Sequence, residues 1–361
     1  MLKLKIDTEA SMRLTEALDL IELPDPLAMS QCRSRWDSIA KPLHSLGKLE
    51  DGIIQIAGIQ KTHQVTINKK ALVIMCADNG VVTEGVTQVG SEVTAIVSEN
   101  FLTGNTSACI MAEQSGTDVF PIDIGMNIDT KVPRRKVAYG TKNMLQEPAM
   151  TMEQTIQAIE VGINTVLELK EKGYSIIATG EMGIGNTTTS SAISAVLLDM
   201  PVEFVTGKGA GLSALGLEHK ISVIKKSIEK HKPDKKDPLD VLSKVGGLDI
   251  AGLVGLYLGG AAAGIPVVMD GFISSAATLI AIRLEPKVVN YILPSHVSNE
   301  YGGKILLDSI GVTPYLTCNM SLGEGTGAVA LFPLLDMGLA VYEKMSTFEQ
   351  INIEAYQPLE L

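Results

Sequence analysis

The sequence predicts an α/β fold with a doubly wound, mostly parallel sheet and helices on both faces. One observation is a series of short β-branched runs without polar alternation, typical of parallel strands buried on both faces. A second is the amphipathic helical pattern between these runs, because alternating strands and helices build parallel sheets. The predicted strands are residues 71–76, 119–123, 175–179, 202–205, 266–269 and 289–293.

The clearest predicted helix begins near Thr151, because Gln154 three residues later completes a capping box. Apolar residues then recur at helical spacing from Ile156 onward, and Gly173 is expected to end the helix. The weakly polar stretch 250–269 contains several glycines and a proline. It is therefore predicted to be a buried helix followed by a strand.

The two ends of the chain have a different pattern. Residues 1–60 and 335–361 show helical periodicity and polar connectors, without a predicted strand. We expect these ends to pack together as a small helical subdomain. The remainder, residues 61–334, would form an α/β nucleotide-binding catalytic domain.

Composition argues against several classes of function. The chain has 361 residues and a formal net charge of −11, and acidic residues interrupt its Lys-rich stretch at 225–236, so we expect no nucleic-acid partner. Its four cysteines lie far apart without a Cys/His cluster, which predicts no metal site and no disulfide scaffold. No run approaches the ~20 apolar residues of a membrane span. The first residues lack the apolar core of a signal peptide, so we expect a cytoplasmic protein. We also expect no cofactor.

Polar and glycine-rich segments follow every predicted strand. In an open parallel sheet, ligands bind at the carboxyl ends of the strands. One such segment alone would be an ordinary turn, but its recurrence predicts a single pocket. The segments are residues 77–80, 123–125, 180–188, 206–209, 270–272 and 294–296.

Two glycine-rich elements precede helices. In residues 183–188, two glycines lead into a helical run, and the free N–H groups of such a helix start can hold a phosphate. The segment lacks the ATP-loop and GxGxxG patterns, and a helix cap without a ligand is the alternative. In residues 323–327, glycines flank Glu324 and leave its carboxylate accessible. A helix start would stabilise this anion, whereas desolvation by a bound aromatic base would raise its pKa.

These residues belong to a series of motifs through which the chain resembles the nicotinate-nucleotide:dimethylbenzimidazole phosphoribosyltransferase family over about residues 30–350. The motifs are Lys-Pro-x-x-Ser-Leu-Gly-Lys-Leu-Glu (41–50), Ala-Asp-Asn-Gly-Val-Val-x-Glu-Gly-Val (77–86), Glu-Val-Thr-Ala (92–95), Gly-Glu-Met-Gly-Ile-Gly-Asn-Thr-Thr (180–188), Gly-Gly-Leu-Asp-Ile-Ala (246–251), Asp-Gly-Phe-Ile-Ser (270–274) and Leu-Gly-Glu-Gly-Thr-Gly (322–327).

The resemblance implies transfer of phosphoribosyl from nicotinate mononucleotide to the lower base of a cobamide, with inversion at C1′. The nicotinate ring nitrogen leaves neutral, so no metal is needed. The acceptor nitrogen loses a proton as it bonds, which requires a general base within about 3 Å. The resemblance assigns this role to Glu324 and implies that Glu181 lies in the same pocket.

The other site residues are also implied by the resemblance. Those expected to hold phosphate or ribose are Gly183, Gly185, Asn186, Thr187, Lys208, Asp249, Asp270, Ser295 and Gly325. For two of them, Asp249 and Asp270, a turn or a helix cap is an equally good explanation. Those expected to line the acceptor pocket are Asp78, Gln88, Ser91, Met182 and Leu322.

The acceptor stays open at this point. Val89-Gly90-Ser91 and Met182 depart from the family pattern, which suggests a more apolar and adaptable pocket. Some relatives glycosylate phenol or p-cresol and work as paired paralogues, and a phenol with a pKa of about 10 also needs a base. A non-catalytic partner subunit and another sugar-phosphate enzyme on the same scaffold are further alternatives. The resemblance also implies a dimer, either of identical chains or with a paralogue.

Overall fold

The structure, a computed structural model, describes residues 12–356. Its centre is one sheet of five parallel strands in the order β2-β1-β3-β4-β5. The strands are β1 (Lys70–Ala77), β2 (Thr117–Gly125), β3 (Ile176–Met182), β4 (Val267–Met269) and β5 (Ile292–Pro294). Residues 1–11 and 357–361, parts of the predicted terminal subdomain, lie outside the described range.

Helices connect the strands. They are α1 (Leu14–Leu20), α2 (Pro26–Ser38), α3 (Lys48–Gln60), α4 (Glu92–Thr103), α5 (Ser107–Gln114), α6 (Met152–Glu171), α7 (Asn186–Leu198), α8 (Ala214–His231), α9 (Pro238–Val245), α10 (Leu248–Ala263), α11 (Phe272–Leu284), α12 (Gly303–Ile310) and α13 (Thr326–Lys344). Short 3₁₀ turns lie at Gly80–Glu84, Val202–Phe204, Pro286–Tyr291 and Glu349–Ile351.

Both faces of the sheet are covered, as predicted. Along β1, Val73 and Met75 belong to one core with residues of α6, α10 and α11. Their neighbours Leu72 and Ile74 belong to a second core with residues of α3, α5 and α13. Because side chains alternate between the faces of a strand, this division confirms a doubly wound α/β fold.

The predicted strand at residues 202–205 is wrong. This segment begins with a 3₁₀ turn at Val202–Phe204 and pairs with no strand of the sheet. Its buried residues are Val202 and Val205, three apart, whereas Glu203 and Phe204 are exposed. That spacing fits a helical turn and not a strand. The last strand is also shorter than predicted, because Pro286 starts a 3₁₀ turn that extends to Tyr291.

The local helix predictions are confirmed. Thr151 caps α6, accepting a hydrogen bond from the Gln154 backbone, and the Gln154 side chain returns to the Thr151 backbone. Gly173 follows the helix with φ +81°. Helix α10 is almost wholly buried and leads into β4, as expected for residues 250–269.

The terminal segments contact each other and the body of the protein. Ile39 forms a β-bridge with Thr347, and the Trp36 and Tyr342 rings lie 5.1 Å apart. Helix α3 packs against α2 and α13, whereas α1 packs against α6 and α10. The boundaries of a separate helical subdomain, 1–60 with 335–361, stay a prediction.

Among residues 12–356, α13 is the one helix long and apolar enough to cross a membrane, by length and composition. It packs against α3, α5 and β3, and 56% of its most apolar stretch of residues is buried. Packing in the core therefore accounts for its apolar character.

The strand order places a crevice at a defined point. The chain runs from β1 outward to β2, then crosses back to β3 on the other side of β1. Connections that leave two neighbouring strands in opposite directions open a crevice at their carboxyl ends. The segments after β1 and β3 therefore border the expected binding site.

Candidate active site

A cleft lies at this end of the sheet, and most predicted site residues line it. Its walls come from segments 86–89, 181–187, 208–212, 270–274, 296–300 and 321–324, together with one residue of α8. The predicted residues in the lining are Glu181, Met182, Gly183, Gly185, Asn186, Thr187, Lys208, Asp270, Gln88, Leu322 and Glu324.

Five predicted residues do not line the cleft. Asp249, Ser295 and Gly325 are buried and contact residues that do line it. The carboxylate of Asp78 instead accepts a hydrogen bond from the Asn127 backbone at 2.7 Å. Ser91 precedes the first turn of α4.

Glu324 lies on a strained loop between α12 and α13. Gly323, Glu324 and Gly325 have φ values of +89°, +59° and +83°. Left-handed backbone is unfavourable for a glutamate, so the surrounding structure must impose it. The loop lies directly on β3, where a Cβ added to Gly180 would come within 2.7 Å of the Glu324 carbonyl oxygen.

The carboxylate of Asp270 imposes this loop conformation. Its Oδ1 accepts the N–H groups of Gly327 at 2.8 Å and Ala328 at 3.1 Å, and its Oδ2 accepts that of Gly325 at 3.2 Å. These are the free N–H groups at the start of α13, so Asp270 caps this helix from a neighbouring strand end. The helix cap that the sequence allowed for Asp270 is present, and because Asp270 also lines the cleft, its contact with ribose stays a prediction.

His296 also lines the cleft and was not among the predicted site residues. Its Nδ1 is 3.0 Å from Ser295 Oγ and 3.9 Å from Asp270 Oδ1. A Cβ at Gly327 would overlap the His296 ring, so the small residue permits this contact. Ser295 therefore orients His296, which lies beside the helix cap.

Glu181 contacts both glycine-rich elements. Its Oε1 accepts the Glu324 N–H at 3.4 Å, and its Oε2 accepts a hydrogen bond from the Asn186 side chain. Asn186 Nδ2 also donates to Asp249 Oδ2 at 2.9 Å. Burial, and then the nearby charge of Asp249, raise the pKa of Glu181 well above its usual value.

The pKa of Glu324 is also raised, mainly by burial, with a contribution from the charge of Asp270. The backbone of Ala108 at the start of α5 acts in the opposite direction. Within the described residues, the buried Glu324 Oε2 makes no hydrogen bond. One carboxylate oxygen is thus without a hydrogen-bond partner among these residues, and a raised pKa makes the group a stronger base than an ordinary glutamate.

The glycine-rich element at residues 183–188 forms a compact turn before α7. A Cβ at Gly183 would lie 2.5 Å from Asp249 Oδ2, and Gly185 has φ +94°. The Ile184 N–H donates to Thr94 Oγ1 at 3.1 Å, which fixes the turn to α4. The first turn of α7 leaves backbone N–H groups without intrahelical partners, and these give its end a partial positive charge.

Lys220 of α8 is the principal residue that the sequence did not reveal. Its buried Nζ donates to Thr187 Oγ1 at 2.8 Å, beside the first turn of α7. Burial lowers the pKa of this lysine to about 8. By contrast, Lys208 is exposed at the rim. A buried ammonium beside the positive end of a helix makes an anion the expected ligand.

Three of the five predicted acceptor residues line the cleft, namely Gln88, Met182 and Leu322. Gln88 Nε2 donates to the Gly211 carbonyl oxygen, which joins two sides of the entrance. Leu322 is more than half exposed, although it is a large apolar residue. Met182 ends β3 beside Glu181 and is buried. An apolar surface of this kind suits an aromatic ring better than a polar ligand.

The part of the chain that the structure describes contains no group of three or more His, Cys, Asp and Glu side chains arranged to hold a metal ion.

Comparisons with named relatives assign the chain to a protein family. A family model described as Phosphoribosyltransferase matches residues 21–353 of the chain. The chain belongs to this family. It is 50% identical over 333 residues to the nicotinate-nucleotide–dimethylbenzimidazole phosphoribosyltransferase of Acetivibrio thermocellus, across 91% of this chain and 95% of that one. It is 46% identical to the protein of that name from Clostridium acetobutylicum, across 93% and 96% of the two chains.

Solved structures agree with this assignment. The fold is similar to the crystal structure of CobT from Thermus thermophilus, with a TM-score of 0.87 and 34% identity. The similarity covers 92% of this chain and 100% of that one. The family resemblance that the motifs indicated is therefore confirmed, and the chain is an enzyme of the phosphoribosyltransferase class. The alternatives of a phenolic acceptor and a non-catalytic partner subunit receive no support from these relatives.

The buried acids predict a pH-dependent stability. Burial raises the pKa of Asp249 to about 6, against about 3.9 in an unfolded chain. Because the pKa of Asp249 is higher in the folded chain than in the unfolded chain, its protonated carboxyl contributes fully to the free energy of unfolding below about pH 4. This contribution is lost as the pH rises to about 6. Asp249→Asn should therefore gain about 2–3 kcal/mol relative to wild type between pH 4 and pH 7.

Urea unfolding at each pH measures this difference. The loss of one acceptor oxygen, toward Ile250 or Asn186, shifts the variant's curve by a constant and does not change its slope with pH. Asp308→Asn, at a surface position of α12, is the control and should run parallel to wild type. A parallel curve for Asp249→Asn would contradict the assignment.

Proposed function

We propose that this enzyme transfers the phosphoribosyl group of nicotinate mononucleotide to dimethylbenzimidazole, giving nicotinate and an α-riboside phosphate for the nucleotide loop of a cobamide. One observation carries the proposal: Glu324, with a free carboxylate oxygen, lies in the same cleft as a buried ammonium beside a helix start. A base and an anion site are the two parts that this reaction needs. The names of the relatives support the two substrates.

The donor phosphate occupies the site at the start of α7. Lys220 supplies the positive charge, and the backbone around Gly185 and Asn186 supplies N–H groups. Thr187 holds the lysine in place through its hydroxyl. Lys220, and not Lys208, is therefore the principal lysine that binds the phosphate. Lys208 lies at the solvated rim, where its charge is strongly screened.

Glu324 accepts the proton of the acceptor. The bond between C1′ and the nicotinate nitrogen breaks, and its electron pair returns to the ring nitrogen, which becomes neutral. The unprotonated ring nitrogen of the acceptor forms the new bond to C1′ with its lone pair, and the proton on the other ring nitrogen passes to Glu324 Oε2. The raised pKa of Glu324 favours this transfer, and Asp270 and Glu181 hold the loop that presents it.

Glu181 and Asp249 mainly position other residues of the cleft. Both share the Asn186 amide, which ties the donor side of the cleft to the Glu324 loop. With one Glu181 oxygen facing Glu324 N and the other facing Asn186, this glutamate orients the base. The acceptor ring lies between Met182 and Leu322. A dimeric assembly and a cytoplasmic location stay predictions from the sequence.

The first test is the reaction itself. The purified chain alone, given nicotinate mononucleotide and dimethylbenzimidazole, should release nicotinate and form the riboside phosphate in equal amounts. Parallel reactions with adenine, phenol and p-cresol compare acceptors. No nicotinate release with any acceptor would exclude the proposed function.

Glu324→Gln should lower turnover by about 10²-fold or more while donor binding is retained, because the amide cannot take the proton. Turnover and donor affinity are measured separately, by nicotinate release and by calorimetry. Glu343→Gln, at an exposed position of α13, is the matched control. Wild-type turnover in the Glu324 variant would remove this residue from the mechanism.

Lys220→Met should raise the donor KM by about 10- to 100-fold, because it removes a buried charge-assisted hydrogen bond. Lys208→Met should change the same KM by less than about threefold, since its ammonium is solvated. Steady-state kinetics with saturating acceptor measure both values. A larger effect at position 208 than at position 220 would reverse the phosphate assignment.

A further inference from the structure

A positive and a negative side chain, Lys220 and Glu300, both lie against the Gly207–Gly209 segment at one side of the cleft. Lys220 Nζ donates to the Gly207 carbonyl oxygen at 3.4 Å. It would lie 3.5 Å from a Cβ added at Gly209. Glu300 lines the same part of the cleft, and its Oε2 occupies the space that a Cβ at Gly207 would need. The absence of a side chain at position 207 therefore lets the carboxylate approach the backbone beside the lysine.

The position of Lys220 is unfavourable for a positive charge. Its side chain is almost completely buried, and Thr187 holds it at the positive end of α7. Burial lowers the pKa of Lys220 to about 8, although the charge of Glu300 acts in the opposite direction. Burial likewise raises the pKa of Glu300, and Lys220 together with the Gly209 N–H opposes that change.

We propose that Glu300 is a positioning residue that serves as the internal counter-ion of Lys220, keeps it protonated before the donor binds, and gives way to the donor phosphate. This inference rests on the proposed function, because it names what keeps the phosphate-binding lysine charged before the donor arrives. Two negative groups cannot both remain against one ammonium at no cost. The carboxylate must therefore move away or take up a proton when the phosphate binds.

The side chain of Glu300 can move without its backbone. Its N–H donates to Ser298 Oγ at 3.2 Å, and its carbonyl oxygen accepts the Gly303 N–H at 2.8 Å, at the start of α12. The backbone is thus held on both sides, and exchange of partners requires only rotation of the carboxylate. This makes the exchange a local event in the cleft wall.

Other titratable groups share the cleft, but they act elsewhere. Lys208 lies on the same segment as the glycines and is exposed. The remaining groups in the lining are Glu181, Asp270, His296 and Glu324. Among the charged groups of residues 12–356, Glu300 is the one whose charge raises the pKa of Lys220 against the effect of burial.

Sulfate binding measured by calorimetry between pH 6 and pH 9 tests the inference. Sulfate keeps its charge over this range, so a change in affinity reports the protein, and the experiment needs no catalytic activity. The chains compared are wild type, Glu300→Gln, Glu300→Asp, Lys220→Met and the double variant Glu300→Gln/Lys220→Met. Glu218→Gln, on the exposed face of the lysine's own helix, controls for net charge.

In wild type, sulfate affinity should fall as pH rises through the pKa of Lys220. In Glu300→Gln this fall should begin about one pH unit lower, with about tenfold weaker binding at pH 8.5. At pH 6.5 the variant should bind sulfate as tightly as wild type or tighter, because a competing carboxylate is gone. Glu300→Asp should keep most of the wild-type profile, since it retains the charge.

Superimposable profiles for wild type and Glu300→Gln would overturn the inference, and so would equal weakening at every pH. A shift that persists in the Lys220→Met background would also overturn it, because Lys220 would not be the group that titrates. If the chain binds sulfate with the expected profiles but transfers no phosphoribosyl group, the proposed function fails separately. If transfer occurs and the profiles coincide, only this inference fails.

Discussion

The carboxylate of Asp270 accepts three backbone N–H groups, from Gly325, Gly327 and Ala328, and the position of Glu324 depends on these hydrogen bonds. A glutamate with φ +59° between two left-handed glycines would not hold this conformation unaided. Asp270 follows β4, whereas the loop precedes α13, so the cap also joins two elements distant in sequence. The strain in the loop is balanced by charge-assisted hydrogen bonds in a buried position.

Charge is divided between the two ends of the cleft. Two buried carboxyl groups with raised pKa values, Glu181 and Asp270, contact the Glu324 loop. The buried ammonium of Lys220 lies at the start of α7, with Glu300 as its counter-ion. An anionic phosphate is attracted to one end, and a proton is accepted at the other. Burial lowers the pKa of the Lys220 ammonium and raises the pKa values of the carboxyl groups. Donor binding and base catalysis therefore depend on different groups.

Much of this arrangement follows from the sequence. Runs such as residues 71–76 predicted the sheet, and polar segments at strand ends predicted the cleft, because both depend on local pattern. Lys220 was missed because a lysine on an amphipathic helix usually faces solvent; its signal was its place on the apolar stripe with Val223 and Ile224. The roles of Asp270 and Glu300 depend on contacts between distant segments, which no local pattern encodes.

Amide hydrogen exchange in Asp270→Asn is the most direct measurement of the central claim. The amide side chain has one acceptor oxygen for three N–H groups, so Gly325, Gly327 and Ala328 should exchange more than about tenfold faster than in wild type. Amides of β1 and β3 should keep their protection, and turnover should fall with the donor KM nearly unchanged. Wild-type exchange at these three amides, with wild-type turnover, would contradict the claim that Asp270 fixes the Glu324 loop.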